Sequence, residues 1–174
     1  MFRYKTQPYH RMAVAVFNSP TIKGEVIFSQ DGKDTVIQAI LTQLPPGQHG
    51  FHIHSAGDLR GEGCQGACDH YHVGPKQSHG GPPGMPGQRH TGDLGNVTGP
   101  LFEAQYRLKN VHVDDLLGRS VIIHEDPDDL GQGPFEDSTT TGHSGKRIGC
   151  AIIGRVKPCT KAKAPAKTRK HRGH

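Results

Sequence analysis

Residues 48–57 read "QHGFHIHSAG", with His49, His52 and His54 inside six consecutive positions. Side chains on a strand alternate faces with a period of two. An extended backbone here therefore sends His52 and His54 one way and Phe51 and Ile53 the other. The two apolar residues give that strand a side for a core. Its opposite side is open to two readings: a polar face that happens to carry imidazole, or a pair of metal ligands. The remainder of the chain has to separate them.

Outward from this segment, short β-branched runs alternate with turn residues. "MAVAVF" (12–17), "KGEVIFS" (23–29) and "DTVIQAILT" (34–42) come before it, punctuated by "NSP" and "QDGK". "NVTG" (96–99), "LFEAQYRL" (101–108), "SVIIHE" (120–125) and "GCAIIGRV" (149–156) come after. Inward-facing positions are read at Val26 and Phe28 and at Val36, Ala39 and Leu41. No run reaches helix length, and 24 glycines with 13 prolines favour turns over helices. About eight strands at this spacing make an all-β domain, an antiparallel sandwich or barrel.

Two long connections interrupt the pattern, residues 55–93 and 125–148. Loops of this length without secondary structure need something else to order them. The first presents His70, His72, His79, His90 and Asp93, and the strand before the second ends in His124. Imidazole suits zinc and copper; three histidines with one carboxylate make a closed tetrahedral zinc set, and a second group converging from strands suits a redox copper. A lone histidine on a strand is usually a hydrogen-bonded side chain. So many around one glycine-rich loop point instead to metal.

At 174 residues the chain is one domain with room for an appendage. The net charge of +5 divides unevenly. Residues 1–156 carry 14 Lys+Arg against 16 Asp+Glu, a net of −2, whereas residues 157–174 carry seven Lys+Arg and no acid. That basic segment, containing "KAKAPAKTRKHRGH", cannot bury a core. It is expected to be disordered, either a solvated extension or a tether to nucleic acid or another polyanion. No apolar run is long enough to span a membrane, and the first residues lack a secretory-signal pattern. The expectation is a cytoplasmic protein. Cys64, Cys68, Cys150 and Cys159 form no CxxC pair; four free thiols or any of three fully paired connectivities remain open.

The segments "HGFHIH", "HGG", "RHTGDLGNV", "VIIHEDPDDLGQG" and "STTTGHSGKRIGCAIIG" closely resemble, in order, the signatures of eukaryotic-type copper–zinc superoxide dismutases. The match runs over residues 12–156. The resemblance implies an eight-stranded antiparallel Greek-key β-barrel with two long functional loops, a homodimer, and conversion of superoxide to dioxygen and hydrogen peroxide. It implies copper held by His52, His54, His70 and His124. It implies zinc held by His70, His79, His90 and Asp93, with His70 shared. Asp128 would link His52 to His79, Arg147 would bind and guide the anion, and Cys64–Cys150 would be a disulfide, leaving Cys68 and Cys159 free. The rival readings are a non-enzymatic metal-handling protein of the copper-chaperone kind and a polyanion binder.

Four departures from that pattern carry expectations of their own. "HYHVGP" stands where the family has His, an aromatic, Asn and Pro. His70 is assigned because it precedes Tyr71 and follows Cys64 by six positions, with His72 a spectator. "GGPPGMPGQR" lengthens the loop between His79 and His90. Thr140 stands where the family often has lysine, which leaves steering to Arg147 and Lys146. Arg155 replaces an apolar residue of the family's dimer surface, while Leu117, Gly118 and Ile152 remain compatible with it.

Overall fold

Alternation decides which side of each early strand is wet. Ala13, Ala15 and Phe17 are buried while Val16 is exposed; Val26 and Phe28, and then Ile37, Ala39 and Leu41, continue the same inner face. These segments form β1 (Met12–Asn18), β2 (Lys23–Asp31) and β3 (Asp34–Gln43), hydrogen-bonded as an antiparallel meander. Val36 does not share the inner face. "DTVIQAILT" has apolar residues in both phases, and the strand turns Ile37, Ala39 and Leu41 inward, with Val36 half-buried on the other side. The computed structural model describes residues 11–75 and 77–156; the basic segment and Cys159 lie outside the described residues.

β4 (Gly47–His54), β5 (Asp93–Gly99), β6 (Phe102–Leu108), β7 (Ser120–His124), β8 (Arg147–Ile152) and β9 (Gly154–Arg155) complete the strands. Two one-turn helices, α1 (Val113–Leu116) and α2 (Ser138–Thr141), lie in the connections. One sheet has the order β6-β3-β2-β1-β9 and the other β5-β4-β7-β8, with antiparallel pairs throughout. Phe28, Phe51, Ile37, Ile53 and Ile123 meet between them, each fully buried.

Nine strands are described rather than about eight, because the last run divides. The backbone N–H of Ile153 donates to Arg119 O at 2.9 Å and its carbonyl accepts from Gly118 N at 3.0 Å. Those bonds to the preceding connection remove Ile153 from the ladder. β8 therefore stays on β7, and β9 crosses to pair with β1. The same run thus serves both sheets and closes one side of the barrel.

Candidate metal centre

β4 is buried on both faces. Phe51 and Ile53 enter the core, while His52 and His54 are 0 % and 1 % exposed on the opposite side. Register then recruits the remaining groups. Asp93 pairs with His52 across β4–β5, and His54 forms an isolated antiparallel bridge with His70. Tyr71 N donates to Ile53 O at 2.8 Å, and the Tyr71 ring is buried beneath the Arg119 guanidinium, 3.9 Å from its centroid. An inward Tyr71 leaves His70 facing the histidines of β4. On the other edge, His124 at the end of β7 pairs with Arg147 at the start of β8.

Two donor groups result, each with its ligand atoms within 4.8 Å of one another: His52, His54, His70 and His124, and then His70, His79, His90 and Asp93. His70 belongs to both. Its Nδ1 lies 2.8 Å from Asp93 Oδ1, and the same oxygen is 3.1 Å from His79 Nδ1 and 3.3 Å from His90 Nδ1. Four donors placed 2.0–2.1 Å from a tetrahedral zinc would stand about 3.3 Å apart, so this cluster has nearly that size. Asp93 Oδ2 accepts from the Gly80 and His90 backbone N–H groups at 3.0 and 2.7 Å, which fixes the carboxylate.

Hydrogen bonds assign the free nitrogen of each ring. His54 Nδ1 donates to Cys68 O at 2.8 Å and His124 Nδ1 to Gly145 O at 3.2 Å, so both rings keep an Nε2 lone pair. His52 Nε2 and His79 Nε2 donate to the two oxygens of Asp128, at 2.8 and 2.7 Å. The buried side-chain atoms without a partner, among the described residues, are His52 Nδ1, His54 Nε2, His79 Nδ1, His90 Nδ1 and His124 Nε2. Leaving so many buried polar atoms unsatisfied would cost roughly 1–3 kcal/mol each. All five belong to the two donor groups, and a metal ion is what satisfies a set of converging lone pairs.

The electrostatics of the two groups differ. Burial lowers His52 well below the usual imidazole range, His70 in the same direction, His54 to about 2 and His124 to about 3. These rings are neutral, the form that ligates. Burial also opposes charge on His79, but the Asp128 and Asp93 carboxylates overcome it and raise that ring to about 9. Burial would raise Asp93, yet the His70, His79 and His90 rings gathered around it hold its carboxyl far below the usual range. The second group therefore attracts positive charge. Nitrogen donors alone suit copper, and three imidazoles with a carboxylate suit zinc, so both sets fit the groups their chemistry implies.

Several residues that position this centre were not singled out by the sequence reading. Asn96 donates Nδ2 to Asp128 O at 2.9 Å and accepts from Asp128 N at 2.7 Å, clamping the residue that joins His52 to His79. His49, 5 % exposed, sets Nδ1 3.0 Å from the carbonyls of both His124 and Glu125, and Nε2 3.3 Å from Pro45 O. Nothing in spacing marks it, since it shares the parity of Phe51. His72 lies in neither donor group. Its Nε2 donates to Pro75 O at 2.7 Å and its Nδ1 accepts from Thr91 N at 3.3 Å, so it ties the loop together.

The centre opens to solvent through a cleft of ≈ 860 Å³ that His54, His70, His124 and Arg147 line. Arg147 donates Nη1 to Cys64 O at 2.8 Å and Nη2 to Cys68 O at 2.6 Å. The Cys68 carbonyl thus anchors both the guanidinium and His54. Cys64 and Cys150 form a disulfide that fastens the short 3-10 segment Glu62–Ala67 to β8, while Cys68 is an exposed free thiol. Lys146 is exposed, and Thr140 contributes a neutral side chain to the cleft.

Residues 22–153 match the family model described as copper/zinc superoxide dismutase. The chain belongs to that family. It is also similar to a solved structure described as "Crystal Structure Analysis of the clock protein EA4", at 32 % identity and a TM-score of 0.76. The similarity covers 88 % of this chain and 100 % of that one. As a copper/zinc superoxide dismutase family member, the chain has the two-sheet barrel, and its two donor groups come from β4, β5, β7 and the first loop.

Proposed function

We propose that the protein is an active dismutase that converts superoxide to dioxygen and hydrogen peroxide, with His52, His54, His70 and His124 holding copper and His70, His79, His90 and Asp93 holding zinc. The observation that carries the reading is the set of five buried, unpartnered ring nitrogens, divided between two donor groups that share His70, beside a cleft containing Arg147. When bound, copper supplies the one-electron exchange that turns two superoxide ions and two protons into the products, and zinc supplies a fixed positive charge.

The chain's own residues do the rest. Arg147, held on two carbonyls, presents a guanidinium to the incoming anion and orients it by charge-assisted hydrogen bonds. His70 keeps Nδ1 against Asp93 and can hold a proton at Nε2 on the side of the histidine-only set. Asp128 couples His52 to His79, so neither group can rearrange alone. In copper- and zinc-loaded protein, Arg147→Ala should keep both metals and lower the second-order rate with superoxide on the order of tenfold or more. An unchanged rate at low ionic strength would remove Arg147 from the reaction.

A family member without catalysis is the second reading, since the similar structure is described as a clock protein. A full donor set with Arg147 in the cleft favours catalysis. We also propose a cytoplasmic homodimer. Ile152, 49 % exposed on β8, supports an apolar contact there, although Arg155 on β9 pairs with Asp114 at 3.1 Å. Residues 157–174 are proposed to contact a polyanion through seven cations. Their deletion should abolish retention on heparin at about 50 mM salt, and a full-length chain that fails to bind there would end that idea.

A further inference from the structure

The cleft carries more acid than base. Apart from histidines, its charged lining side chains among the described residues are Asp69, Asp137 and Arg147. Two carboxylates against one guanidinium offset part of the positive charge that metals held by the lining histidines would offer an anion. Asp137, however, is paired. His143 places Nδ1 2.7 Å from Asp137 Oδ1, and Thr141 Oγ1 donates to the other carboxylate oxygen at 2.9 Å.

The imidazole is also held on its face. The Phe135 ring lies against it with centroids 3.6 Å apart and planes 10° from parallel. Gly142 and His143 take successive left-handed conformations, φ 68° and 51°, which return the ring from the end of α2 to Asp137 at its start. Such a backbone is unfavourable for a non-glycine residue; here it serves to bring cation and carboxylate together. Neither side chain belongs to a donor group.

We propose that His143 is a specificity-determining residue: its imidazolium cancels the charge of Asp137 at the cleft and so sets how readily a small anion reaches Arg147. A protonated ring leaves the pair neutral, and a neutral ring leaves one uncompensated negative charge. Asp137 is the carboxylate facing the ring and Phe135 its aromatic neighbour; Glu136, Lys146 and Arg147 are the nearest other charges along the chain, and Asp69 lines the same cleft. The inference rests on the dismutase reading only in taking superoxide as the anion, and azide probes the same path.

The test begins with the His143 ring nitrogen signals by NMR in zinc-loaded protein, with and without Asp137→Asn. The Nδ1 signal should move in the variant, and an unchanged one overturns the pairing. Azide affinity, from the copper absorption spectrum, and the superoxide rate are then measured at low ionic strength and at a pH where that signal shows the ring protonated. The proteins are the wild type, His143→Asn, Asp137→Asn and the double variant. His143→Asn should weaken both readouts roughly two- to fivefold, and the double variant should match Asp137→Asn alone. A His143→Asn protein equal to wild type, or one whose loss persists unchanged in the Asp137→Asn background, overturns the proposal. A wild type that shows the azide pattern but leaves superoxide untouched overturns the dismutase reading and leaves this one standing.

Discussion

His70 and His72 are two positions apart, and their separate fates show how the site is made. On a regular strand they would share a face, yet the chain is bridged to β4 only at His70 and leaves it immediately afterwards. Buried Tyr71 sets the parity, and His72 turns to Pro75 and Thr91. His70→Ala should therefore lose a ligand from both donor groups and most of the activity. His72→Ala should retain both metals and cost the loop no more than about 1–2 kcal/mol, the value of its hydrogen bonds. Metal analysis after dialysis distinguishes them, and loss of both metals from His72→Ala with retention by His70→Ala would reverse the assignment.

Between strands, the second loop is shaped by how closely it approaches the centre. A Cβ on Gly142 would overlap Asp128 Oδ1 and His79 Nε2, and the residue has φ 68°. Gly142→Ala should thus combine a left-handed penalty of about 1–2 kcal/mol with displacement of the link between the two donor groups. Weakened zinc retention together with a lowered melting temperature is the expected result; unchanged retention would show that the loop can yield. The strands of this barrel were legible as short β-branched runs bounded by turn residues. Where both phases are apolar, as in "DTVIQAILT", the inward set was ambiguous and Val36 was misassigned. The division of the last run was invisible for another reason, since it depends on carbonyl and amide groups of Gly118 and Arg119 far earlier in the chain. The short helices α1 and α2, four residues each, are too brief to leave a periodic signal. Among site residues, the ligands stood out by type, while Asn96, His49 and the Cys68 carbonyl act through backbone contacts that any sequence could conceal.

Across the whole molecule, the barrel supplies rigidity and the loops supply chemistry. β4 joins the two roles, with Phe51 and Ile53 in the core and His52 and His54 in the centre, so the ligands inherit the precision of the packing. The disulfide from Cys64 to Cys150 fastens the first loop to the second sheet, and Asp128 fastens the second loop to both donor groups. On the proposed dismutase reading, turnover requires both metals in place. The most direct test follows the decay of a superoxide pulse in the presence of copper- and zinc-loaded protein, then after chelation, then after both metals are restored. The expected result is one copper and one zinc per chain, decay far faster than the spontaneous reaction, loss of that acceleration on chelation and its return with the metals. Full occupancy of both donor groups with decay no faster than in buffer would contradict the account.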